Sequence, residues 1–244
     1  MSTVTSPGGT TAGAARVGPF TDAEAGGRPG HASPARVFAT ALALGTLTAV
    51  IEGHTTHRDL PVRSWTGKAS RSDRFLLDHC HGSTIDLGCG PGRLAAELRT
   101  RGHDVLGVDT SRTALVEARR RGVPVECGSL FDPLPGEGTW ETVLLADGNI
   151  GIGGDPTALL ARARHLIHDH GQVVVDLAKA GTGLRVHQLH LRAGGLASTS
   201  FPWAELGPDA LPQAASAAGL VVAAVTQRHG RTVGVLAPST GVKS

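Results

Sequence analysis

Asp86, the glycines at 88, 90 and 92, and Asp109 are the residues whose types and spacing can do chemistry. Residues 84–92 read Thr-Ile-Asp-Leu-Gly-Cys-Gly-Pro-Gly, a buried strand passing into a glycine turn and then a helix. Glycines there let the backbone turn sharply and approach a ligand with no Cβ in the way. Pro91 suits a helix's first turn, where its fixed φ fits and its missing N–H has no partner to lose. The free amides of the new helix are then expected to point back over the turn. Asp86 discriminates among ligands, because a carboxylate two positions before the first glycine repels a pyrophosphate and attracts a cation. Asp109 closes a second apolar strand at 104–109 (DVLGVD) and lies about 20 residues past the turn, where nucleotide folds place an acid against a ribose diol.

S-adenosylmethionine answers both acids, since it carries a sulfonium, an ammonium and a ribose diol. DLGCGPGRL at 86–94 and GVDTS at 107–111 resemble the class I S-adenosylmethionine-dependent methyltransferases, as does the strand, helix and strand order from about 75 to 178 and, more loosely, on to about 238. The resemblance implies an α/β fold: a doubly wound, mostly parallel seven-stranded sheet with helices on both faces, its last strand antiparallel, and a small N-terminal helical cap. It also implies that Asp86 and the amides of Gly88, Cys89, Gly90 and Gly92 hold the methionine end of the cofactor, and that Asp109, with Thr110 beside it, holds the ribose hydroxyls. One departure is visible. Many family members place an Asp after the third strand for the adenine amine, whereas this chain reads Gly128-Ser129-Leu130, with Asp132 three residues past Ser129. The Ser129 hydroxyl can accept one hydrogen bond and the Leu130 amide can serve a ring nitrogen, with Asp132 as the alternative if the loop is bulged.

The 244 residues can bury a full core, and the length favours one α/β domain with a cap. Residues 1–34 are rich in Gly, Ser, Thr and Ala and are expected to be disordered; 35–75 should form the helical cap, 76–238 the cofactor-binding domain and 239–244 a tail. A net charge of +2 is close to neutral, and the basic residues are almost all arginine, with Lys only at 68, 179 and 243. Such a composition suits a high-GC bacterial genome. The arginines are spread among acids, which reads as a solvated surface and not a nucleic-acid face. No Tyr, five Phe and three Trp also disfavour a stacking platform for nucleic acid, and a large planar acceptor with it. The three cysteines form no CxxC pair, so no disulfide framework is expected. The first 30 residues lack a secretory pattern, and the apolar run within 35–53 is shorter than the roughly 20 residues a spanning helix needs; a cytoplasmic protein without membrane contact is the expectation.

Further along, caps and apolar runs mark a helix from Thr110 or Ser111 to about Arg121, strands at 123–127 and 142–146, a helix from Asp155 to about Asp169 and a strand at 173–177. A long glycine-containing loop, a helix near 209–218 and a hairpin turning at His229-Gly230 complete the chain. Ligands in such sheets sit at the carboxyl ends of the strands. The loop after the fourth strand therefore offers Asp147, near the sulfonium by resemblance and a candidate base, and Asn149, a candidate acceptor contact. His54 and His57 follow the cap and titrate near neutrality, His54 as a candidate general base and His57 as an acceptor contact. Arg63 can pair with the cofactor carboxylate, and Trp65 can touch the acceptor. HxxH spacing recurs at 54/57, 165/168 and 187/190, but no carboxylates complete a tetrahedral set, and His165, His168 and His170 should sit at the end of a surface helix, so no metal is expected. The 179–208 loop, with His187, His190 and the Phe201-Pro-Trp203 corner, should join the cap around the pocket. The reading is methyl transfer by in-line displacement to an O, N, S or C nucleophile of a small molecule, of the specialised-metabolite kind, leaving S-adenosylhomocysteine. Two other readings are a methyltransferase-like protein that binds the cofactor without catalysis and an NAD-dependent oxidoreductase. The latter should lack Asp86, show GxGxxG in place of GxGxG, and carry a catalytic tyrosine. Nothing in the residues names the acceptor or the oligomeric state.

Overall fold

The computed structural model describes residues 31–53 and 57–239. His54, most of the 1–34 segment and residues 240–244 lie outside the described residues. The described chain begins with α1 (Pro34–Leu44), whose start is fixed by Ser33, its side chain accepting from the Arg36 amide at 3.3 Å, and by a proline in the first turn. Gly45, left-handed at φ 73°, ends it. A hairpin follows, β1 (Leu47–Ile51) and β2 (His57–Leu60), then two short helices, α2 (Val62–Thr66) and α3 (Arg71–Leu77). A capping box between Ser70 and Asp73 starts α3.

From there strands and helices alternate: β3 (Thr84–Leu87), α4 (Arg93–Thr100), β4 (Val105–Asp109), α5 (Arg112–Arg120), β5 (Val125–Cys127), β6 (Trp140–Leu145), a 3-10 turn at Asn149–Gly151, α6 (Pro156–Leu166) and β7 (Ile167–Leu177). The remainder is β8 (Leu184–Ala193), β9 (Leu196–Ala197), β10 (Phe201–Leu206), α7 (Leu211–Ala217) and the terminal hairpin β11 (Leu220–Arg228) and β12 (Arg231–Pro238). Seven strands form the main sheet in the order β11-β12-β7-β6-β3-β4-β5, parallel from β7 through β5, with β12 antiparallel to both neighbours. Strand order reverses between β3 and β6, and that is where such a sheet leaves a crevice at its carboxyl end. The apolar runs of β6 and β7 serve both faces. Val143, Leu145, Val173 and Val175 pack under α6 and α7, while Leu144 and Val174 pack with Leu76, Leu94 and Leu98 of α3 and α4.

The cap differs from the all-helical expectation. Its hairpin β1/β2 joins β8, β9 and β10 in a second, antiparallel sheet of five strands, with β10-β8-β1-β2 in sequence across it and β9 paired to β8. The 179–208 segment is thus mostly strand. The partners of β1 lie far along the chain, Ala49 opposite Leu191, so neither segment carries a local signal of the pairing. Likewise α6 stops at Leu166 and β7 begins at Ile167, which pairs with Trp140, so His168 and His170 are on a strand, not at a helix end. Among the described residues no helix is long and apolar enough to cross a membrane, and the 35–53 run divides into α1 and β1.

The two sheets meet at the 3-10 turn, where Ile152 bridges Trp203 of β10. A methyl group on Gly151 would collide with the Ala204 carbonyl and lie 2.7 Å from Trp203 Nε1. Gly151→Ala is therefore expected to push the cap off the main sheet and cost about 1–3 kcal/mol in chemical denaturation; an unchanged midpoint would show that this contact is not tight.

Candidate active site

The amides of the glycine turn after β3 are already bonded, mostly to the end of β4. Gly88 and Cys89 both donate to the Val108 carbonyl, at 2.8 and 3.0 Å, Gly90 donates to Asp109 Oδ2 at 2.9 Å, and Gly92 donates to the Cys89 carbonyl at 3.0 Å. The expectation that these amides hold the cofactor is corrected by this geometry: all four donors already have partners. Pro91 lies before the helix and Gly92 is the N-cap of α4. Left-handed φ at Gly88, Gly90 and Gly92 makes the turn possible. Beyond that, a Cβ at Gly88 would sit 2.6 Å from Asn149 Nδ2 and one at Gly92 2.7 Å from the Ala118 Cβ, whereas Gly90 faces open space.

Beneath the turn Asp86 is buried, and its Oδ2 has no hydrogen-bond partner. Burial, with Asp147 nearby, raises its pKa from the ordinary aspartate value to about 7, and Arg93 only partly offsets this. A turn with no spare amides above a buried carboxylate does not suit a phosphate; it suits a cation. Asp109, on the rim, accepts from Ser111 N at 2.7 Å and from Gly90 N, and burial raises its pKa while those amides act to lower it. Two amide bonds leave its carboxylate further lone pairs for a diol. The Cys89 thiol, raised well above its usual value by burial and then by Asp109, stays protonated.

Asp147 takes a different part from the one expected. It is left-handed at φ 52°, and both its oxygens meet guanidinium groups: Oδ2 accepts from Arg93 Nη2 at 2.7 Å and Oδ1 from Arg231 Nη2 at 3.0 Å. The same arginines bind Asp73, through Arg93 Nη1 and through Arg231 Nη2 at 3.0 Å, and Arg231 Nη1 lies 3.2 Å from Asp176 Oδ2. Both carboxylate oxygens of Asp147 are thus held by guanidinium groups. Burial acts to raise the pKa of Asp73, but hydrogen bonds from Arg93 and Ser70 prevail and hold it below the usual range. Asp176 is pushed up to about 6, by burial first. Sequence reasoning missed this network; the Arg that closes the GCGPGR run was its one visible trace.

A cavity of about 570 Å³ opens above the turn, between the main sheet and the concave face of the cap sheet. Asp86, Cys89, Asp109, Thr110, Ser129, Leu130, Asp147 and Asn149 line the main-sheet side. Asn149 Nδ2 donates to the carbonyls of Leu87 and Gly88, both at 2.9 Å, so it braces the turn. The Ser129 hydroxyl accepts from Phe131 N at 3.2 Å, and Arg162 ties down the carbonyls of Leu130 and Asp132 at 2.9 and 2.6 Å. Asp132 itself is exposed and does not line the cavity. On the cap side, alternate residues point inward: Leu47, Ala49 and Ile51 of β1, Arg58 and Leu60 of β2, His187, Leu189 and Leu191 of β8, and Phe201, Trp203 and Glu205 of β10. His57 and Trp65 reach the cavity as expected, Trp65 with its ring 5.8 Å from that of Phe38. Arg63 does not: it is exposed on α2 and folds beside Gly45, away from any cofactor carboxylate. His190, on the same strand as His187, is also absent from the cavity wall. Among the described residues no group of three or more His, Cys, Asp or Glu could hold a metal ion.

Residues 85–171 match the family model of a methyltransferase domain. The chain therefore resembles that family over the matched segment, 87 of its 244 residues. Its fold is similar to that of an S-adenosylmethionine-dependent methyltransferase from Bacteroides fragilis in complex with S-adenosyl-L-homocysteine, at 18% identity and TM-score 0.71 over 84% of this chain and 94% of that one. It is also similar to the CcbJ methyltransferase from Streptomyces caelestis, at 19% identity and TM-score 0.54 over 69% and 88% of the chains. The glycopeptide N-methyltransferase MtfA with S-adenosylmethionine matches at 15% identity and TM-score 0.55, over 70% and 95%. No curated protein matches by sequence. The family match spans β3 to the start of β7, hence the turn, Asp109 and Asp147, and leaves the cap sheet outside it.

The charges of the methyltransferase domain set its pH response. Asp86 holds its proton more tightly folded than unfolded, so its contribution to stability is full below the ordinary aspartate value of 3.8 and is lost as pH rises through about 7. Asp86→Asn should therefore leave the unliganded protein more stable than wild type at pH 8, by up to a few kcal/mol, with the gap closing toward pH 5; a gap that does not vary with pH would overturn the assignment of that cost to Asp86. Arg231→Met removes the guanidinium shared by three carboxylates and is expected to cost about 3–5 kcal/mol in denaturant titration at pH 7.

Proposed function

We propose that the protein transfers a methyl group from S-adenosylmethionine to a small-molecule acceptor enclosed between the cofactor turn and the cap sheet. The observation that carries this reading is the buried, unpartnered Asp86 carboxylate beneath a turn whose amides are already spent. A dinucleotide's pyrophosphate would meet turn amides already bonded and a buried carboxylate beneath them, whereas a cationic methionine end would meet a carboxylate whose Oδ2 has no hydrogen-bond partner. When bound, the cofactor supplies the electrophilic methyl group.

The chain's own residues then have separable tasks. Asp86 faces the cationic end, Asp109 accepts from the ribose hydroxyls with lone pairs its two amide bonds leave open, and Ser129 with Leu130 flanks the base. The ion-pair network fixes Asp147 and thereby the loop that carries Asn149, which in turn holds the glycine turn in shape. The cap sheet excludes water and aligns an acceptor in line with the methyl group, and alignment of that kind accounts for most of the acceleration a displacement needs from a protein. The cavity's walls, closed above by the cap's strands, favour a small molecule over a nucleic acid, and among the structural neighbours one is a glycopeptide N-methyltransferase.

Calorimetric titration with S-adenosylhomocysteine, S-adenosylmethionine and NAD tests the reading. The two sulfur compounds should bind with micromolar Kd and NAD should not. Asp109→Asn, which keeps one carbonyl oxygen but loses the charge, should weaken both by roughly tenfold or more, the loss of a charged hydrogen bond. Binding of NAD alone, or equal affinity in the variant, would overturn it.

A further inference from the structure

The chain holds five Phe, three Trp and no Tyr, yet Phe38, Trp65, Phe131, Phe201 and Trp203 all line this one cavity, five of its eight Phe and Trp residues. Four of them come from the cap. Phe38 and Trp65 pack 5.8 Å apart, Phe201 and Trp203 6.5 Å apart, and of the four only Phe201 is fully buried. The overall scarcity of aromatics argued against a planar acceptor, but their concentration at one wall argues for it. Phe38, Trp65 and Trp203 pack against the cap's core yet are only partly buried and line the cavity, where such rings can stack on a flat ligand.

Set into the same wall is a polar group with no evident part in folding. His187 Nε2 lies 3.6 Å from Glu205 Oε2, and Arg58 Nη1 lies 3.6 Å from Glu205 Oε1. His187 and Glu205 are partly exposed, at 23% and 35%, toward a cavity whose remaining cap residues are mostly apolar. Nε2 is the ring nitrogen nearer Glu205, which leaves Nδ1 as the one not turned to the carboxylate. Arg58, its side chain 77% exposed, brings a solvent-screened positive charge to the same carboxylate.

We propose, on the basis of the methyl-transfer reading, that the acceptor is an aromatic hydroxyl compound stacked against the cap aromatics and that His187, positioned by Glu205, takes its proton. The acceptor oxygen forms a bond to the methyl carbon as the carbon–sulfur bond breaks, the sulfur leaves as a neutral thioether, and the hydroxyl proton passes to Nδ1 of His187 and from there to solvent. An aromatic hydroxyl suits this set better than an amine, because the newly charged imidazolium stabilises a forming oxyanion, whereas deprotonating an ammonium leaves no anion to stabilise.

The experiment uses 2-naphthol as the probe, with decahydro-2-naphthol and 2-naphthylamine as its saturated and amine counterparts. Each is titrated into wild-type protein saturated with S-adenosylhomocysteine, and each is then assayed for methylation with S-adenosylmethionine. We expect 2-naphthol to bind roughly tenfold tighter than its saturated counterpart, from ring stacking, and to be O-methylated. In His187→Gln, kcat should fall about 100-fold, the usual share of a general base, with KM and the S-adenosylhomocysteine Kd unchanged. Glu205→Ala should lower kcat in the same pattern by a smaller factor, which a merely structural loss would not do without also moving KM. The proposal is overturned if S-adenosylhomocysteine binds but 2-naphthol neither binds nor is methylated, if the saturated compound binds as well, if 2-naphthylamine is the better substrate, or if His187→Gln turns over 2-naphthol at the wild-type rate. Failure of S-adenosylhomocysteine itself to bind would overturn the cofactor reading instead, so the two failures are told apart.

Discussion

Two arginines, one buried and one partly buried, hold the carboxyl edge of the sheet together, and the site depends on them. Arg93 comes from the first turn of α4 and Arg231 from the first residue of β12; between them they gather Asp73 from α3, Asp147 from the loop after β6 and Asp176 from the end of β7. No one of these charges could be buried alone at tolerable cost, and a pair missing its partner is worse than no pair at all. The network therefore closes only when five separate elements have docked. Folding of the carboxyl edge and assembly of the cavity floor are in this sense the same event. The left-handed backbone at Asp147, unfavourable for a residue with a Cβ, is held by two guanidiniums pulling on its carboxylate.

What the network leaves out matters as much as what it includes. Four carboxylates (Asp73, Asp86, Asp147 and Asp176) surround two guanidiniums, and Asp86 is the one without a direct ion pair. In the unliganded protein this residue is a liability, which burial expresses as a pKa near neutrality. A cation placed over the turn turns the liability into an attraction, since ligand and protein then share one uncompensated charge each. The amides of the turn being committed to Val108, Asp109 and Cys89 sharpens the preference, because the same backbone shape with free amides would welcome an anion.

The strand, the glycine turn and the two acids beside it were legible in the sequence because they are local. Strand, glycine turn and helix follow one another within 84–100, and Asp109 lies one strand further, so residue order and spacing carry the geometry. The donors of the turn were misjudged because their acceptor, the Val108 carbonyl, belongs to the neighbouring strand, and pattern along one segment does not report on its neighbour's carbonyls. The acceptor half was barely legible. Its sheet joins β1 and β2 to β8 and β10 across the whole intervening domain, the alternation of 185–191 lay between glycine clusters that read as a loop, and Arg58, His187 and Glu205 converge only once those strands pair.

This division has a consequence for how the two halves can change. Each residue lining the main-sheet side of the cavity near the turn is fixed by a strand end, a turn whose amides are bonded, or the arginine network, and each of these constraints involves several partners. Residues facing the acceptor alternate along strands of the cap, where the register of Phe201 with Leu189 and of Trp203 with His187 fixes which side chains point inward but not what they are. A one-residue slip would turn the apolar face outward and is opposed by the cap's own core of Val37, Leu47, Val62 and Leu191. An inward substitution that keeps the register meets no such opposition. The fold thus holds the cofactor geometry constant while leaving the acceptor wall free to vary, and a chemistry in which one electrophile serves many nucleophiles requires that separation.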